Sequence, residues 1–413
     1  MCRALRALTL VTSVVLLWPA AGQAAGPGSP YVALGDSYTA GPLVPSPGDG
    51  PILCLRSTNN YPSIVARSLQ TAQQRDVSCS AATTQAMTTR QPFTENPPQF
   101  DALGADVRLV TLSIGFNDAE LGRVIGVCPL HSLLQPVATS CRDSSGSSGQ
   151  NSLNRAITAT APKVAAVLQG IHERAPQARV VVLGYPSIVP NDGRSCSPLV
   201  QFSQDDLRYF DELLVKLNAV LAEQAAANDA EYADSYSTAI GHDVCTAPGQ
   251  KWWEGPIPTS PAYPWHPNAL GQQHLARVVL DVLARPLPAP LLTALSSVRP
   301  RIRSGSKARF TYTLDQPAAV TVSLRRELRG RREGGRCRPP RIADERSRPC
   351  KRLSRVLRTV RVDGLPGVNR LAVGPRRLTT PGRYAATATA TRRGSSSPAQ
   401  TTSFRVTRLR PRR

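Results

Sequence analysis

Three polar residues stand at the ends of apolar runs, where a side chain can reach a reactant. Ser37 follows the run Val32-Ala33-Leu34 in Gly35-Asp36-Ser37, a break made of turn-forming residues. A serine on the turn after a buried strand sits where open α/β sheets hold their ligands. Asn117 closes a second run, Val107 to Ile114, in Gly115-Phe116-Asn117-Asp118. His266 lies far downstream in Trp265-His266-Pro267-Asn268, just ahead of an apolar periodic segment. A serine hydroxyl is a poor nucleophile until a base takes its proton, so Ser37 needs an imidazole within hydrogen-bond reach. Taken singly, each residue has a plainer explanation. Gly-Asp-Ser is also an ordinary turn whose serine caps a helix, Asn117 fits another cap, and His266 beside Trp265 fits a surface histidine.

The elements that must position these residues alternate strand and helix. Strand-like runs are Tyr31–Leu34, Val77–Cys79, Val107–Ile114 and Val180–Leu183. Helix-like segments are Tyr61–Gln70, Asn151–Arg174, Gln204–Asn228 and Asn268–Leu283, and Leu153, Ile157, Val164, Leu168 and Ile171 recur at helical spacing. Such alternation predicts an α/β domain, a parallel sheet covered by helices on both faces. Ser144 to Gly149 reads as a flexible surface loop. Beyond residue 300 the period changes. Alternation in 308–314, 319–324, 355–362, 369–373, 383–391 and 402–407 predicts six short strands and an all-β sandwich.

Charge marks the same division. Residues 301–413 carry 30 Lys and Arg against 6 Asp and Glu, whereas the first 300 residues are close to neutral, so the net +22 belongs to the C-terminal part. Pro286, Pro288 and Pro290 mark the junction, since proline cannot continue the helix before it. At the other end, Arg3 and Arg6 precede an apolar run from Leu8 to Trp18, and small residues follow at Ala24 and Ala25. That is the pattern of a secretory signal peptide, too short for a membrane span, and no later stretch is apolar for long enough to cross a membrane. The expected organisation is a signal peptide over 1–25, a catalytic domain over 26–285, a Pro-rich linker over 286–300 and a basic β-domain over 301–413. Without Cys2, eight cysteines remain, an even number that suits disulfides in an exported chain but allows about 100 pairings. Metal ligation is the competing reading; with no Cys-x-x-Cys pair and scattered histidines, no metal and no cofactor are expected.

Gly35-Asp36-Ser37-Tyr38, Gly115-x-Asn117-Asp118 and His266-Pro267-Asn268, in this order and at these separations, resemble the SGNH (GDSL-type) hydrolase superfamily over about residues 30 to 285. The resemblance implies a three-layer, flavodoxin-like α/β fold and a secreted serine esterase or lipase. Ser37 would be the nucleophile and His266 its base, with an oxyanion hole from the Ser37 N–H, the Ala81 N–H and the Asn117 amide. Two positions depart from the family. Its second oxyanion donor is usually a glycine; Ala81 keeps the N–H provided the backbone there needs no positive φ. The usual aspartate three residues before the histidine is Tyr263 here, so its backbone carbonyl is expected to orient His266. Tyr185 and Pro186, after the fourth strand, are expected either to line the pocket or to form a plain turn. Neighbouring cysteines are expected to pair as Cys54–Cys79, Cys128–Cys141, Cys196–Cys245 and Cys337–Cys350, the first three as in secreted actinobacterial members. The last pair would clip a basic hairpin in a domain that resembles immunoglobulin-like appendages. Its charge suits an anionic envelope polymer or polysaccharide better than nucleic acid, for which no recognition motif occurs. A solvated basic surface with no partner explains the charge equally well. A monomer is expected. The competing function is a catalytically silent or weakly catalytic envelope- or polysaccharide-binding protein.

Overall fold

The computed structural model describes residues 29–126, 146–194, 200, 202–340, 347–374, 378–392 and 395–408. The expected signal peptide and Cys128, Cys141 and Cys196 lie outside them. The chain divides into two compact units between Pro288 and Ala289. Among the described residues, no helix is long and apolar enough to cross a membrane.

In the first unit, β1 (Tyr31–Gly35), β2 (Gln74–Asp76), β3 (Leu109–Ser113), β4 (Arg179–Leu183) and β5 (Glu231–Ala233) form one parallel sheet, in the order β2-β1-β3-β4-β5. β1, β3 and β4 are buried at every position, which is why they read as unbroken apolar runs. α1 (Ser37–Ala40) follows β1 directly. The long helices are α2 (Tyr61–Leu69), α3 (Gly146–Arg174), α4 (Gln204–Ala227) and α5 (Ala269–Ala284). They pack in two pairs, α2 with α5 and α3 with α4. The strand order is that of flavodoxin-like sheets and reverses between β1 and β3, where such folds leave a ligand crevice outside the strands' carboxyl ends. Ser37 and Asn117 follow those two strands.

Two expectations need correction here, and one strand was not expected. The second strand is Gln74–Asp76 and not Val77–Cys79, although the N–H groups of Val77 and Cys79 still donate to the Ala33 and Gly35 carbonyls along β1. An edge strand of three polar residues carries no apolar signal. β5, the three residues Glu231-Tyr232-Ala233, is too short to show a strand pattern. The Ser/Gly stretch expected as a loop forms the start of α3 from Gly146 onward. Serine is well tolerated in a first helical turn, where backbone N–H groups lack intrahelical partners.

The second unit is built of β6 (Leu292–Ser297), β7 (Arg301–Arg303), β8 (Ala308–Leu314), β9 (Ala318–Glu333), β10 (Arg336–Arg338), β11 (Pro349–Leu353), β12 (Arg358–Gly364), β13 (Gly367–Val373), β14 (Gly382–Arg392), β15 (Ser395–Ser396) and β16 (Gln400–Thr407). One sheet runs β10-β9-β14-β16-β7, with β11 and β12 also on β9 and β15 on β14; the other is β13-β8-β6. Phe310 of β8 meets Phe404 of β16 edge to face at 5.6 Å, so the two sheets share one apolar core. β6 lies inside the expected linker and pairs with β8 through a buried Leu292. β9 runs well past Leu324, where apolar alternation ends. Its arginine-rich half persists through pairing with β10 and β11, which the Cys337–Cys350 disulfide joins.

Candidate active site

The turn after β1 is specified by contacts that leave little freedom. Gly35 has φ +151°, and a Cβ there would collide with Thr39 Oγ1 and the Ser113 carbonyl oxygen, so only glycine fits. The buried Gln99 amide spans the Gly35 peptide unit, accepting from its N–H at 2.8 Å and donating to its carbonyl at 2.9 Å. Asp36 caps α1 by accepting the Tyr38 N–H at 3.0 Å and also accepts the Tyr185 hydroxyl at 2.5 Å. Asn218 of α4 holds the Tyr185 backbone through two hydrogen bonds, 2.8 and 2.7 Å. Burial pushes the Asp36 carboxyl up to about 7, against the hydrogen bonds from Tyr185 and Tyr38. Tyr185 therefore does not line a pocket. It is fully buried, and its phenol finds the polar partner that a buried tyrosine needs in Asp36.

His266 meets this turn from the other side. Its Nε2 lies 2.8 Å from Ser37 Oγ, and its Nδ1 lies 2.7 Å from the Pro264 carbonyl oxygen. The orienting carbonyl is thus Pro264 and not Tyr263. The Tyr263 carbonyl accepts the His266 backbone N–H at 3.1 Å, closing a turn with Pro264 second and Trp265 third at φ +64°. Proline second and a positive φ third define a type II turn, in which the central peptide is flipped, freeing the Pro264 oxygen for the ring. The carbonyl accepts Nδ1–H, which leaves Nε2 to accept the Ser37 hydroxyl proton. Packing between the Tyr38 and Tyr263 rings, 5.2 and 5.3 Å away, withdraws the half-buried imidazole from water. This burial lowers its pKa to about 4, with the Pro264 bond opposing, so the ring is neutral at neutral pH.

The loop that carries His266 is pinned to a second segment. Glu254 N–H donates to the His266 carbonyl at 3.0 Å and the Glu254 carbonyl accepts Trp265 N–H at 3.1 Å. The Glu254 side chain is fully buried, 3.0 Å from Lys251 Nζ, and accepts from Asn268 Nδ2 at 2.8 Å and Thr259 N–H at 2.7 Å. Burial alone would raise the Glu254 pKa; the hydrogen bonds from Asn268, Thr259 and Lys251 together hold it below the ordinary carboxylate value. Asn268 Oδ1 caps α5 at the Leu270 and Gly271 N–H groups. Tyr38 completes the frame by donating its hydroxyl to the Trp265 carbonyl at 2.7 Å.

The Cys54–Cys79 disulfide ties the 79–82 turn to the 52–54 segment, and a Cys79 N–H bond to the Gly35 carbonyl ties it to β1. Ala81 has φ +62°, so the condition placed on its assignment is not met. The alanine adopts the left-handed backbone all the same, at a cost of about 1–2 kcal/mol. Among the described residues, neither the Ala81 nor the Ser37 N–H has a protein acceptor. Asn117 Nδ2 donates to the Ala82 carbonyl at 2.9 Å, which fixes the amide beside this turn and leaves its second hydrogen. Asp118 accepts from Thr84 N–H and Oγ1 at 2.8 and 2.6 Å and lies 3.4 Å from Lys163, so it shapes the adjoining wall. That wall encloses a cavity of about 570 Å³ whose lining includes Thr84, Met87, Phe100, Asn117, Lys163 and Val167.

Of the residues singled out from the sequence, the fold brings Ser37 and His266 into direct contact and places Asn117 beside the 79–82 turn. Gln99 and Asn218 carried no signal because their partners lie far away in sequence, and Lys251 and Glu254, three residues apart, carried none because nothing local distinguishes a buried pair from a solvated one. Cys245 is disulfide-bonded. Of the pairs expected from sequence order, Cys54–Cys79 and Cys337–Cys350 are formed.

Comparison with known proteins identifies the family. The model of the GDSL-like Lipase/Acylhydrolase family matches residues 33–274, more than half of the chain. Lipase 2 of Streptomyces coelicolor is 39% identical over 267 residues, covering 64% of this chain and 89% of that protein. Among solved structures, an extracellular lipase from Streptomyces rimosus superposes with a TM-score of 0.52 at 27% identity, covering 62% of this chain and 99% of the lipase. A phospholipase A1 from Streptomyces albidoflavus NA297 does so with a TM-score of 0.51 at 26% identity, covering 62% and 99%. The chain belongs to the GDSL-like lipase/acylhydrolase family. It is a carboxylic ester hydrolase.

Proposed function

We propose that the protein is a secreted serine esterase or lipase that works through an acyl-enzyme on Ser37, with His266 as sole base and acid. The observation that carries this reading is the 2.8 Å contact between Ser37 Oγ and a neutral His266 whose other nitrogen is held by a backbone carbonyl. His266 Nε2 takes the Ser37 proton as Oγ attacks the ester carbonyl carbon. The negative charge on the former carbonyl oxygen meets the Ser37 N–H, the Ala81 N–H and the free hydrogen of the Asn117 amide. The imidazolium then protonates the departing alcohol, and the carbon–oxygen bond breaks to leave Ser37 acylated. Water, deprotonated by the same Nε2, repeats the sequence and releases the acid. The Pro264 carbonyl fixes the tautomer but stabilises the imidazolium less than a carboxylate would. Met87, Phe100 and Val167 give the cavity beside Asn117 an apolar wall suited to an acyl chain. The paired cysteines and the leader-like N-terminus support secretion.

Hydrolysis of p-nitrophenyl esters from short to long acyl chains, set beside an acetylated polysaccharide, tests the reading. Turnover of the p-nitrophenyl esters, abolished by His266→Ala, is expected. No turnover of any ester by the folded protein would refute it.

A further inference from the structure

A second concave site lies in the C-terminal unit and shares no residue with the dyad. A cavity of about 580 Å³ is lined by Arg299, Arg301, Arg303, Lys307 and Arg309. Ile302, which with Ser306 completes the lining, is the one buried residue of β7, so the two arginines of that strand share its outer face. Arg405 of β16 stands in register with Arg301 on the neighbouring strand. None of these six cations pairs with a carboxylate among the described residues. Glu333 and Glu327 pair with Arg338 and Arg383, and Asp315 accepts the Leu291 N–H.

We propose that this surface binds a linear phosphodiester polymer whose repeats carry no nucleobase. Like charges gathered in one concavity repel, and a bound anion relieves that repulsion. Alternate residues of an extended strand lie about 7 Å apart, so Arg301 and Arg303 form a row suited to a ligand that carries charge along its backbone. A single phosphate would engage only one end of the row. Five of the six cations are arginines, whose planar forks grip phosphate oxygens in pairs. The cavity lining has no aromatic ring, the platform on which single-stranded nucleic acids stack their bases. Its concavity fits a chain better than a flat membrane.

The experiment measures binding of the full-length protein to a poly(glycerol phosphate) oligomer over a range of salt concentrations. The variant Arg301→Gln/Arg303→Gln/Lys307→Gln is compared with Arg325→Gln/Arg329→Gln/Lys351→Gln, which removes the same charge from β9 and β11. The first variant should lose at least about 10-fold in affinity and lower the salt slope by about 2, the value for three lost phosphate contacts on a single chain. The second should lose less than about 3-fold, and both should turn over a small ester at the wild-type rate. The single variant Arg303→Gln, a milder change, should lose affinity in the same direction. Equal losses in the two triple variants would show diffuse charge and overturn the proposal. Tighter binding of oligo-dT or of a polyuronate, or no binding of the phosphodiester oligomer, would overturn it as well.

Discussion

Inside the unit that ends at Pro288, two ion pairs are largely buried, beside surface pairs such as Arg90–Glu95. Lys251 and Glu254 face each other beneath the histidine loop, and Arg179 ties β4 to Glu231 at 2.6 Å and to the carbonyls of Val282, Leu283 and Arg285 at the end of α5. From Ala289 onward, among the described residues, the apolar core holds no such pair, and many arginines stand on outer strand faces, with surface ion pairs such as Arg338–Glu333. A buried charge fixes geometry because leaving it unpaired is costly, whereas an exposed one contributes little to stability and acts on what approaches from solvent. The first unit uses charge to hold a reaction centre; the second presents charge outward.

Five results would break or sharpen that contrast. Ser37→Ala should lower kcat by about 10⁶-fold with the fold intact by circular dichroism, since nucleophile and base act as one unit. Residual activity near the wild-type level would place the chemistry elsewhere. Lys251→Met leaves Glu254 buried and unpaired and should cost about 3–5 kcal/mol in denaturant unfolding. The double variant Lys251→Met/Glu254→Gln should recover part of that loss. If Lys251→Met is neutral, the pair does not brace the loop.

The pH profile is the third test. Burial depresses the His266 pKa to about 4, so its base form is lost only as pH falls through that value. kcat/KM should rise with pH through about 4 and reach its plateau below 6, where an unshifted imidazole of pKa ~6.5 would still be mostly protonated. Fourth, Ala81→Gly should relieve the positive φ and stabilise the protein by at most about 1–2 kcal/mol, with turnover retained. A destabilised variant would mean that the Ala81 methyl packs usefully. The smallest effect is the fifth: a chain ending at Pro288 should hydrolyse small soluble esters at the full-length rate. A large loss in a folded fragment would end the division of labour drawn here.

What the sequence disclosed follows from how local each signal is. β1, β3 and β4 were legible because strands buried on both faces are continuous apolar runs, and Ser37, Asn117 and His266 because each sits in a short ordered motif. β2 and β5 were not, being edge strands of only three residues each. β6 was hidden behind three prolines. The expectation that the Tyr263 carbonyl orients His266 missed by one residue, because the turn that flips the Pro264 carbonyl depends on a left-handed Trp265, a conformation that sequence does not advertise in an aromatic residue. Gln99, Asn218, Lys251 and Glu254 act only through partners that the fold delivers.

The central claim is that Ser37, activated by His266 alone, is the residue that becomes acylated. The direct measurement is peptide mass spectrometry after inactivation by a p-nitrophenyl alkylphosphonate. One adduct per chain on the peptide containing Ser37, absent from Ser37→Ala and greatly slowed in His266→Ala, is the predicted result. An adduct on another residue, or full inactivation with Ser37 unmodified, would contradict it.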